Sequence, residues 1–274
     1  MMNRLRLIQG SPEWHVHRLK HRNASETAAV MGLSPWLTPY KLWEIKTGRA
    51  VQETTYPMQR GIELEPKARE AYELVTNRIM EPAVVVYEEY SASLDGISFD
   101  EDLILEIKCP LKGKDSETWK MAATGLVERH YELQVQHQLM VSGAMTADFW
   151  VFDGKEGISV EVVRNKDDFY DIQEAWEKFM VYVNTDTPPP VSSDDTVTRQ
   201  DEAWKAAAQL YLRHKQTVDE ASRLSDEAKA KLVALTQHSS ERGFGVSVCR
   251  FRKGKASAKE EVRVTIAKQE EQPC

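Results

Sequence analysis

Three short segments rich in β-branched and large apolar residues follow one another between residues 83 and 108. Residues 83–87, 91–97 and 103–108 are separated by turn-forming residues, so they predict three consecutive antiparallel strands. A chain that must pair three strands in sequence order has few arrangements open to it, because consecutive strands usually lie side by side. This stretch therefore constrains the fold more than any other part of the sequence.

Helical patterns lie on both sides of these strands. Ser11, Pro12 and Glu13 predict a helix start, with serine as the cap and proline in the first turn. Residues 57–77 predict a longer helix, and its buried side comprises Leu64, Ala68, Ala71, Tyr72 and Val75. Further helices are predicted near residues 23–32, 39–48, 115–123, 128–142 and 167–184, and further strands at 147–153 and 157–164. The order of elements predicts an α+β fold.

A change of composition after residue 184 predicts a domain boundary. Three consecutive prolines with serines and aspartates around them are typical of an extended linker. We expect a first domain over residues 1–187, a Pro/Ser/Asp linker over 188–198 and a C-terminal extension over 199–274. Within the extension, residues 199–236 predict one long helix or two shorter ones, and residues 244–252 and 260–266 predict a hairpin.

Composition excludes several classes of protein. No stretch approaches the roughly 20 apolar residues of a membrane helix, and the N-terminus lacks the pattern of a secretory signal, so we expect a cytoplasmic protein. Cys109, Cys249 and Cys274 are too widely spaced for a disulfide framework or a four-thiolate metal site. Free thiols are the expectation.

The net charge of −7 is unfavourable for a protein that binds nucleic acid, but the charge is unevenly distributed. Residues 1–60 carry nine lysines and arginines against four acidic residues, and the middle of the chain is strongly acidic. This pattern is typical of a basic approach surface around an acidic, metal-binding centre. Surface charge without a partner would look similar.

Asp95, Glu106 and Lys108 form the group that predicts a catalytic site. Asp95 precedes Gly96, and Glu106 and Lys108 are two residues apart on the next strand, so their side chains share a face. Two carboxylates and an ammonium on an apolar strand are costly to bury unless a cation pairs them, and Mg²⁺ prefers such oxygen ligands. Asp95, Glu106 and the backbone carbonyl of Ile107 are the predicted metal ligands, with Lys108 orienting or deprotonating the attacking water.

Two simpler interpretations remain open at this point. Glu106 and Lys108 on an exposed strand would be a solvated charge pair of little energetic weight. His17 and His21 are four residues apart and could share a helix face as metal ligands, but no further ligand is evident near them.

The acid, the short gap and the Glu-x-Lys strand have the spacing of the PD-(D/E)xK nuclease superfamily. Within it, the chain resembles the lambda exonuclease or YqaJ-like viral recombinase family over roughly residues 11–185. Six motifs occur in that family's order: Trp14-His-x-x-Arg18, Ala24-Ser25-Glu26, Gly61-x-x-x-Glu65, Asp95-Gly96, Leu105-Glu-Ile-Lys-Cys-Pro110 and Tyr131-x-x-Gln134-Val-Gln136.

The resemblance implies an α/β/α restriction-endonuclease-like core, with a central mixed sheet flanked by helices. It implies that Glu65 adds a carboxylate to the metal site and that Gln134 lies at its edge. Arg18 and Ser25 match the positions that hold the 5′-phosphate of the degraded strand. The family has another acid upstream of the Asp-Gly pair, and Glu88 or Glu89 would have to serve here.

The implied function is that of a phage-type exonuclease. It would digest one strand of duplex DNA from the 5′ end with Mg²⁺ or Mn²⁺, leaving a 3′ overhang for a single-strand annealing protein, and it would work as a ring-shaped homotrimer. Two alternatives are a nuclease of the same superfamily that makes internal cuts or prefers single strands, and a non-catalytic DNA-binding module. Digestion of covalently closed circular DNA would separate the first alternative from an exonuclease.

Overall fold

The structure is a computed structural model that describes residues 2–252 and 260–266. The parts of the predicted extension at residues 253–259 and 267–274, including Cys274, lie outside the described residues. The chain divides into two compact units, one ending at Thr196 and the other beginning at Val197. Each unit is described by itself.

The first unit is an α+β domain with a central mixed sheet between helices. Its helices are α1 (Pro12–Lys20), α2 (Thr27–Val30), α3 (Pro39–Lys46), α4 (Tyr56–Thr76), α5 (Glu117–Ala123), α6 (Arg129–Ser142) and α7 (Lys166–Asn184). Its strands are β1 (Asn3–Leu5), β2 (Arg22–Asn23), β3 (Glu81–Tyr87), β4 (Tyr90–Ile97), β5 (Leu103–Lys108), β6 (Thr146–Phe152) and β7 (Gly157–Val163). Short 3₁₀ turns cover Ala24–Glu26, Gly113–Asp115 and Ser193–Asp195.

The sheet order is β1-β3-β4-β5-β6-β7, with β2 paired to β4. The three predicted strands β3, β4 and β5 are consecutive and antiparallel, as the sequence indicated. β5 and β6 run parallel because α5 and α6 lie between them in sequence and carry the chain back to the starting edge. β5 therefore lies near the middle of the sheet.

The two faces of the sheet are covered by different helices. One core cluster includes Leu133 and Leu139 of α6 and packs against the sheet and α7, and the other joins Ala68 and Tyr72 of α4 to β5 and β6. α6 is buried on most of its circumference, because it lies between the sheet on one side and α2 and α7 on the other. Residues that project from either face of β5 are thus covered by helix.

One residue of the predicted buried side of α4 is exposed. Val75 is 74% exposed, whereas Ala68 and Tyr72 are fully buried. The last turn of α4 lies beyond the buried interface, and the helix ends there at Asn77 in a left-handed conformation. Helical periodicity alone cannot show where such an interface stops.

The second unit contains one long helix and a small antiparallel sheet. α8 (Glu202–Leu235) is followed by β8 (Ser240–Gly243), β9 (Val246–Arg252) and β10 (Glu260–Ile266), in the order β10-β9-β8. The predicted pairing of the last two strands is confirmed. Across both units, no described helix is both long enough and apolar enough to cross a membrane.

Gly96 is required by close packing next to Asp95. A Cβ atom at this position would lie 2.7 Å from Met80 Cβ and 3.2 Å from Leu105 Cβ, closer than side chains tolerate. We expect Gly96→Ala to lower the free energy of unfolding by about 1–3 kcal/mol. Gly61→Ala is the matched control, since its Cβ would meet no atom within 4 Å and alanine favours a helix by about 1 kcal/mol. Denaturant titration would contradict this account if the two variants were equally stable.

Candidate active site

One face of the β5 strand changes from apolar to charged residues along its length. Leu103, Leu105 and Ile107 point toward α4 and are part of the apolar cluster there. On the opposite face, Ile104 is in the apolar core, but Glu106 and Lys108 follow it. The side-chain alternation of a strand therefore carries the acid and the base together to the side covered by α6.

Glu106 is a buried carboxylate with partners on both oxygens. It is 2% exposed, its Oε1 accepts hydrogen bonds from Lys108 Nζ and from Gln134 Nε2 at 2.7 Å, and its Oε2 accepts one from Gln138 Nε2 at 2.6 Å. A carboxylate this deeply buried is stable only when it is paired and hydrogen-bonded. The arrangement differs from the solvated charge pair that was one interpretation of the sequence.

Gln138 is a site residue that the sequence reasoning missed. It is one helical turn beyond Gln134, so both amides face Glu106. The four-residue spacing of the two glutamines was the available signal. Gln136 instead bonds the carbonyl of Val163 and the amide of Asn165, so it joins α6 to the β7–α7 connection.

Asp95 lies on β4 beside the backbone of β5. Its Oδ2 accepts a hydrogen bond of 2.7 Å from the amide of Ile107. Burial, together with the negative charges of Glu106 and Glu65, raises the pKa of Asp95 well above its ordinary value. Lys108 and the Ile107 amide act in the opposite direction but do not cancel these effects.

Glu65 reaches the same group of charges from α4. Burial raises its pKa; Arg69 lowers it, and Glu106 adds to the increase. Arg69 Nη1 donates to Glu65 Oε1 at 3.1 Å and to the carbonyl of Asp95 at 2.6 Å. Arg69 is therefore a positioning residue that links the helix of Glu65 to the strand of Asp95, and it was not anticipated from the sequence.

Lys108 is held between Glu106 and an aromatic ring. Its Nζ lies 4.8 Å from the centroid of the Tyr131 ring and 3.4 Å from Gln134 Oε1. Burial is the largest single influence on the pKa of Lys108 and lowers it, but the charges of Glu106, Tyr131 and Asp95 and the hydrogen bond to Glu106 together outweigh burial, so the net effect raises this pKa. Lys108 therefore carries a positive charge in this arrangement.

The donors suit a hard divalent cation, although they do not form a closed cage. Within the described residues, no group of three or more His, Cys, Asp and Glu side chains is arranged to hold a metal ion. Asp95 and Glu106 supply two carboxylates, however, and the raised pKa of Asp95 reflects a local excess of negative charge that a cation would relieve. Mg²⁺ keeps several waters and is commonly held by one or two carboxylates, so this donor set fits it.

Arg18 and Ser25 are brought together in a second polar cluster. Arg18 Nη1 donates to Ser25 Oγ at 3.1 Å, and Arg18 Nη2 pairs with Glu26 Oε1 at 3.0 Å. The guanidinium also lies over the Trp14 ring, 4.8 Å from its centroid. A guanidinium fixed on two sides in this way can offer its remaining donors to phosphate oxygens.

Glu26 is the centre of this cluster. Its Oε2 accepts from Lys46 Nζ at 2.6 Å and from Asn23 Nδ2 at 2.9 Å, and the Lys46 side chain is only 3% exposed. Lys46 Nζ also donates to the carbonyls of Arg18 and His21, each at 2.7 Å. The buried carboxylate and ammonium hold the end of α1 on α3.

A hydrogen bond connects the two clusters. Trp14 Nε1 donates to Ser93 Oγ at 2.9 Å, and Ser93 is two residues before Asp95 on β4. Since Trp14 also lies under the guanidinium of Arg18, the helix that carries Arg18 is fixed to the strand that carries Asp95.

Other residues considered in the sequence are outside the site. His17 and His21 stack with ring centroids 3.9 Å apart, and burial, with His21 and nearby cations, lowers the pKa of His17 to about 4. Glu88 and Glu89 are exposed in the turn between β3 and β4, and neither is among the charges that shift the pKa of Asp95. Burial raises the pKa of Cys109 to about 11, so this thiol stays protonated near neutral pH.

Comparisons with known proteins identify a family and a fold. The YqaJ-like viral recombinase domain family matches residues 13–145. The uncharacterised protein YqaJ of Bacillus subtilis is 29% identical over 138 residues, which make up 48% of this chain and only 42% of that relative. The chain thus spans less than half the length of the curated relative it matches.

Solved structures with the same fold include an alkaline exonuclease. LHK-Exo from Laribacter hongkongensis is matched with 27% identity and a TM-score of 0.54, over 65% of this chain and 94% of that one. A structure of LHK-Exo in complex with dAMP is matched with 25% identity, a TM-score of 0.56 and the same coverage of 65% and 94%. The mixed sheet flanked by helices is therefore shared with a restriction-endonuclease-like exonuclease.

Glu26 gives a stability prediction for the second cluster. Glu26→Ala would leave Lys46 buried without a counter-charge, so we expect a loss of about 3–5 kcal/mol in the free energy of unfolding. Glu81→Ala is the control, because its pair with Arg4 is exposed and should contribute less than about 1 kcal/mol. Equal effects in denaturant unfolding would mean that Glu26 does not hold this cluster together.

Proposed function

Because the chain belongs, through residues 13–145, to the YqaJ-like viral recombinase domain family, we propose that it is a Mg²⁺-dependent exonuclease. It digests one strand of duplex DNA from the 5′ end and leaves a 3′ single-stranded overhang. The observation that carries this proposal is the buried carboxylate of Glu106, which is bonded to Lys108 and two glutamines beside Asp95. Burying an acid with a lysine partner at the end of an apolar strand costs free energy of folding. Such an arrangement is typical of a catalytic site.

In this proposal Asp95, Glu106, the carbonyl of Ile107 and Glu65 hold the metal. Mg²⁺ or Mn²⁺ supplies charge stabilisation at the scissile phosphate and lowers the pKa of the attacking water. Lys108 orients that water and neutralises charge on the phosphate, while Gln134 fixes Glu106 and the lysine relative to each other. Water attacks phosphorus, the bond to the 3′ oxygen breaks, and the leaving oxygen takes up a proton.

Arg18 and Ser25 bind the 5′-phosphate of the strand that is digested. Their support comes from the 3.1 Å contact between them and from the pairing of Arg18 with buried Glu26, which together orient the guanidinium. The Trp14–Ser93 hydrogen bond keeps this pocket at a fixed position relative to Asp95. If the end-binding pocket and the cleavage centre keep a fixed separation, each cleavage would release nucleotides from the 5′ end of the strand.

We further propose that the protein acts in the cytoplasm of a bacterial host as a homotrimeric ring, and that a single-strand annealing protein takes over the 3′ overhang. A ring would let an acidic chain stay on DNA, since a basic inner channel can enclose the duplex although the net charge is −7. The support for the ring, the annealing partner and the location comes from the resemblance to the family.

Lys108 gives the first functional prediction. On linear duplex DNA with a 5′-phosphate, we expect loss of the 5′-ended strand with Mg²⁺, none with EDTA, and a rate about 10²–10⁴-fold lower for Lys108→Ala. Lys178→Ala is a suitable control, because Lys178 is an exposed residue of α7 that pairs with Glu174. Strand-specific labels and gel electrophoresis measure the rates.

Three results would contradict the proposed function. Full activity of Lys108→Ala would mean that the catalytic centre lies elsewhere. Cleavage of covalently closed circular DNA would indicate a nuclease that cuts internally, and the absence of any digestion by the unmodified protein would favour a DNA-binding module.

Arg18 gives a prediction about the DNA end. The unmodified protein should digest 5′-phosphorylated ends about tenfold or more faster than 5′-hydroxyl ends, because charge-assisted hydrogen bonds contribute roughly 1.5–3 kcal/mol. Arg18→Ala should remove this preference while its rate on hydroxyl ends stays close to that of the unmodified protein. Arg164→Ala, which alters an arginine bonded to the carbonyl of Gly143, is the control. If Arg18→Ala kept the preference, the pocket would have to be sought elsewhere.

A further inference from the structure

A row of aromatic rings leads from the surface of the first unit to Lys108. Tyr131 lies next to the ammonium of Lys108, and the centroid of its ring is 5.8 Å from that of Trp36. His130 contacts both neighbours, with its centroid 4.9 Å from Trp36 and 4.1 Å from Tyr131. We call Trp36, His130 and Tyr131 the aromatic row.

Trp36 is exposed although its backbone is held in place. It lies in the loop between α2 and α3 and is 68% exposed. Ser34 Oγ accepts hydrogen bonds from the amides of Trp36 at 3.3 Å and Leu37 at 3.2 Å, and the amide of Leu33 bonds the carbonyl of Ala28 at 2.8 Å. The loop therefore presents the indole ring to solvent in a defined position.

Packing does not account for this tryptophan. A buried indole would contribute strongly to stability, but most of this ring stays in water. Its ring contacts among the described residues are with His130 and Tyr131. His130 meets it nearly edge to face, with an interplanar angle of 85°, which steadies the ring without covering it. Tyr170 of α7 is equally exposed, at 67%, but no ring contact joins it to the site within the described residues.

We propose that Trp36 is a stacking platform for a nucleobase of the strand that is being cleaved. Bases stack on aromatic side chains irrespective of sequence, which suits an enzyme that must digest any DNA. With Lys108 at the scissile phosphate, a base of that nucleotide or of its neighbour reaches Trp36 across Tyr131. The base must be unpaired from its complement, so Trp36 marks the point where the strand leaves the duplex. This inference rests on the proposed function.

The test combines kinetics with a binding signal. Trp36→Ala should raise KM for a 5′-phosphorylated duplex with an unpaired 5′ end about tenfold, with kcat within about threefold, because stacking contributes roughly 1–3 kcal/mol per base. Trp36→Phe should keep KM within about threefold of the unmodified value. Tyr170→Ala is the control matched for exposure and should behave like the unmodified protein.

Binding is followed separately with 2-aminopurine at successive positions from the 5′ end, in EDTA so that no strand is cut. We expect one position to lose fluorescence on binding to the unmodified protein, and Trp36→Ala to abolish that loss while Tyr170→Ala retains it. Thermal unfolding of Trp36→Ala should be unchanged, since the side chain is largely exposed.

The outcomes separate this inference from the proposed function. If the unmodified protein digests DNA and Trp36→Ala matches Tyr170→Ala in KM and fluorescence, the stacking platform is wrong and the exonuclease stands. If the unmodified protein quenches the probe through Trp36 but never digests DNA, the platform stands and the exonuclease is wrong. If the unmodified protein neither digests DNA nor quenches the probe, both the stacking platform and the exonuclease are wrong.

Discussion

The buried carboxylate of Glu106 is the constraint on which the first unit depends. A charge at 2% exposure requires donors on both oxygens, and these come from Lys108 on its own strand and from Gln134 and Gln138 on α6. The same bonds that satisfy Glu106 therefore fix the register of α6 against β5. Because α6 also forms the centre of the core, the chemistry and the packing of this unit are determined by the same contacts.

A second buried carboxylate, Glu26, has the same role in the polar cluster around Arg18. It joins Arg18, Lys46 and Asn23, and it fixes α1 to α3. α1 has no buried residue, so polar contacts replace an apolar interface there. Such contacts are directional, so they would suit the proposed role of this cluster, in which a DNA end is held at a fixed distance from Asp95.

The sequence predicted what depends on local spacing. Strand alternation put Glu106 and Lys108 on one face, and the capping pattern at Ser11 gave the start of α1, where its hydroxyl accepts from the amide of Trp14. Gln138 and Arg69 could not be predicted, because their partners depend on how α6 and α4 sit on the sheet. Two-residue β2 was also missed, since so short a segment carries no periodicity.

The single positive charge of Lys108 does not balance the three carboxylates around Asp95. Asp95, Glu65 and Glu106 act on one another in a region of little solvent, and their repulsion raises the pKa of Asp95 even though Lys108 is close by. Lys108 is already engaged by Glu106, and Arg69 by Glu65. A further positive charge is thus required if all three carboxylates are to be ionised together. The divalent cation proposed above would supply that charge at the place where a phosphate, itself an anion, would have to approach.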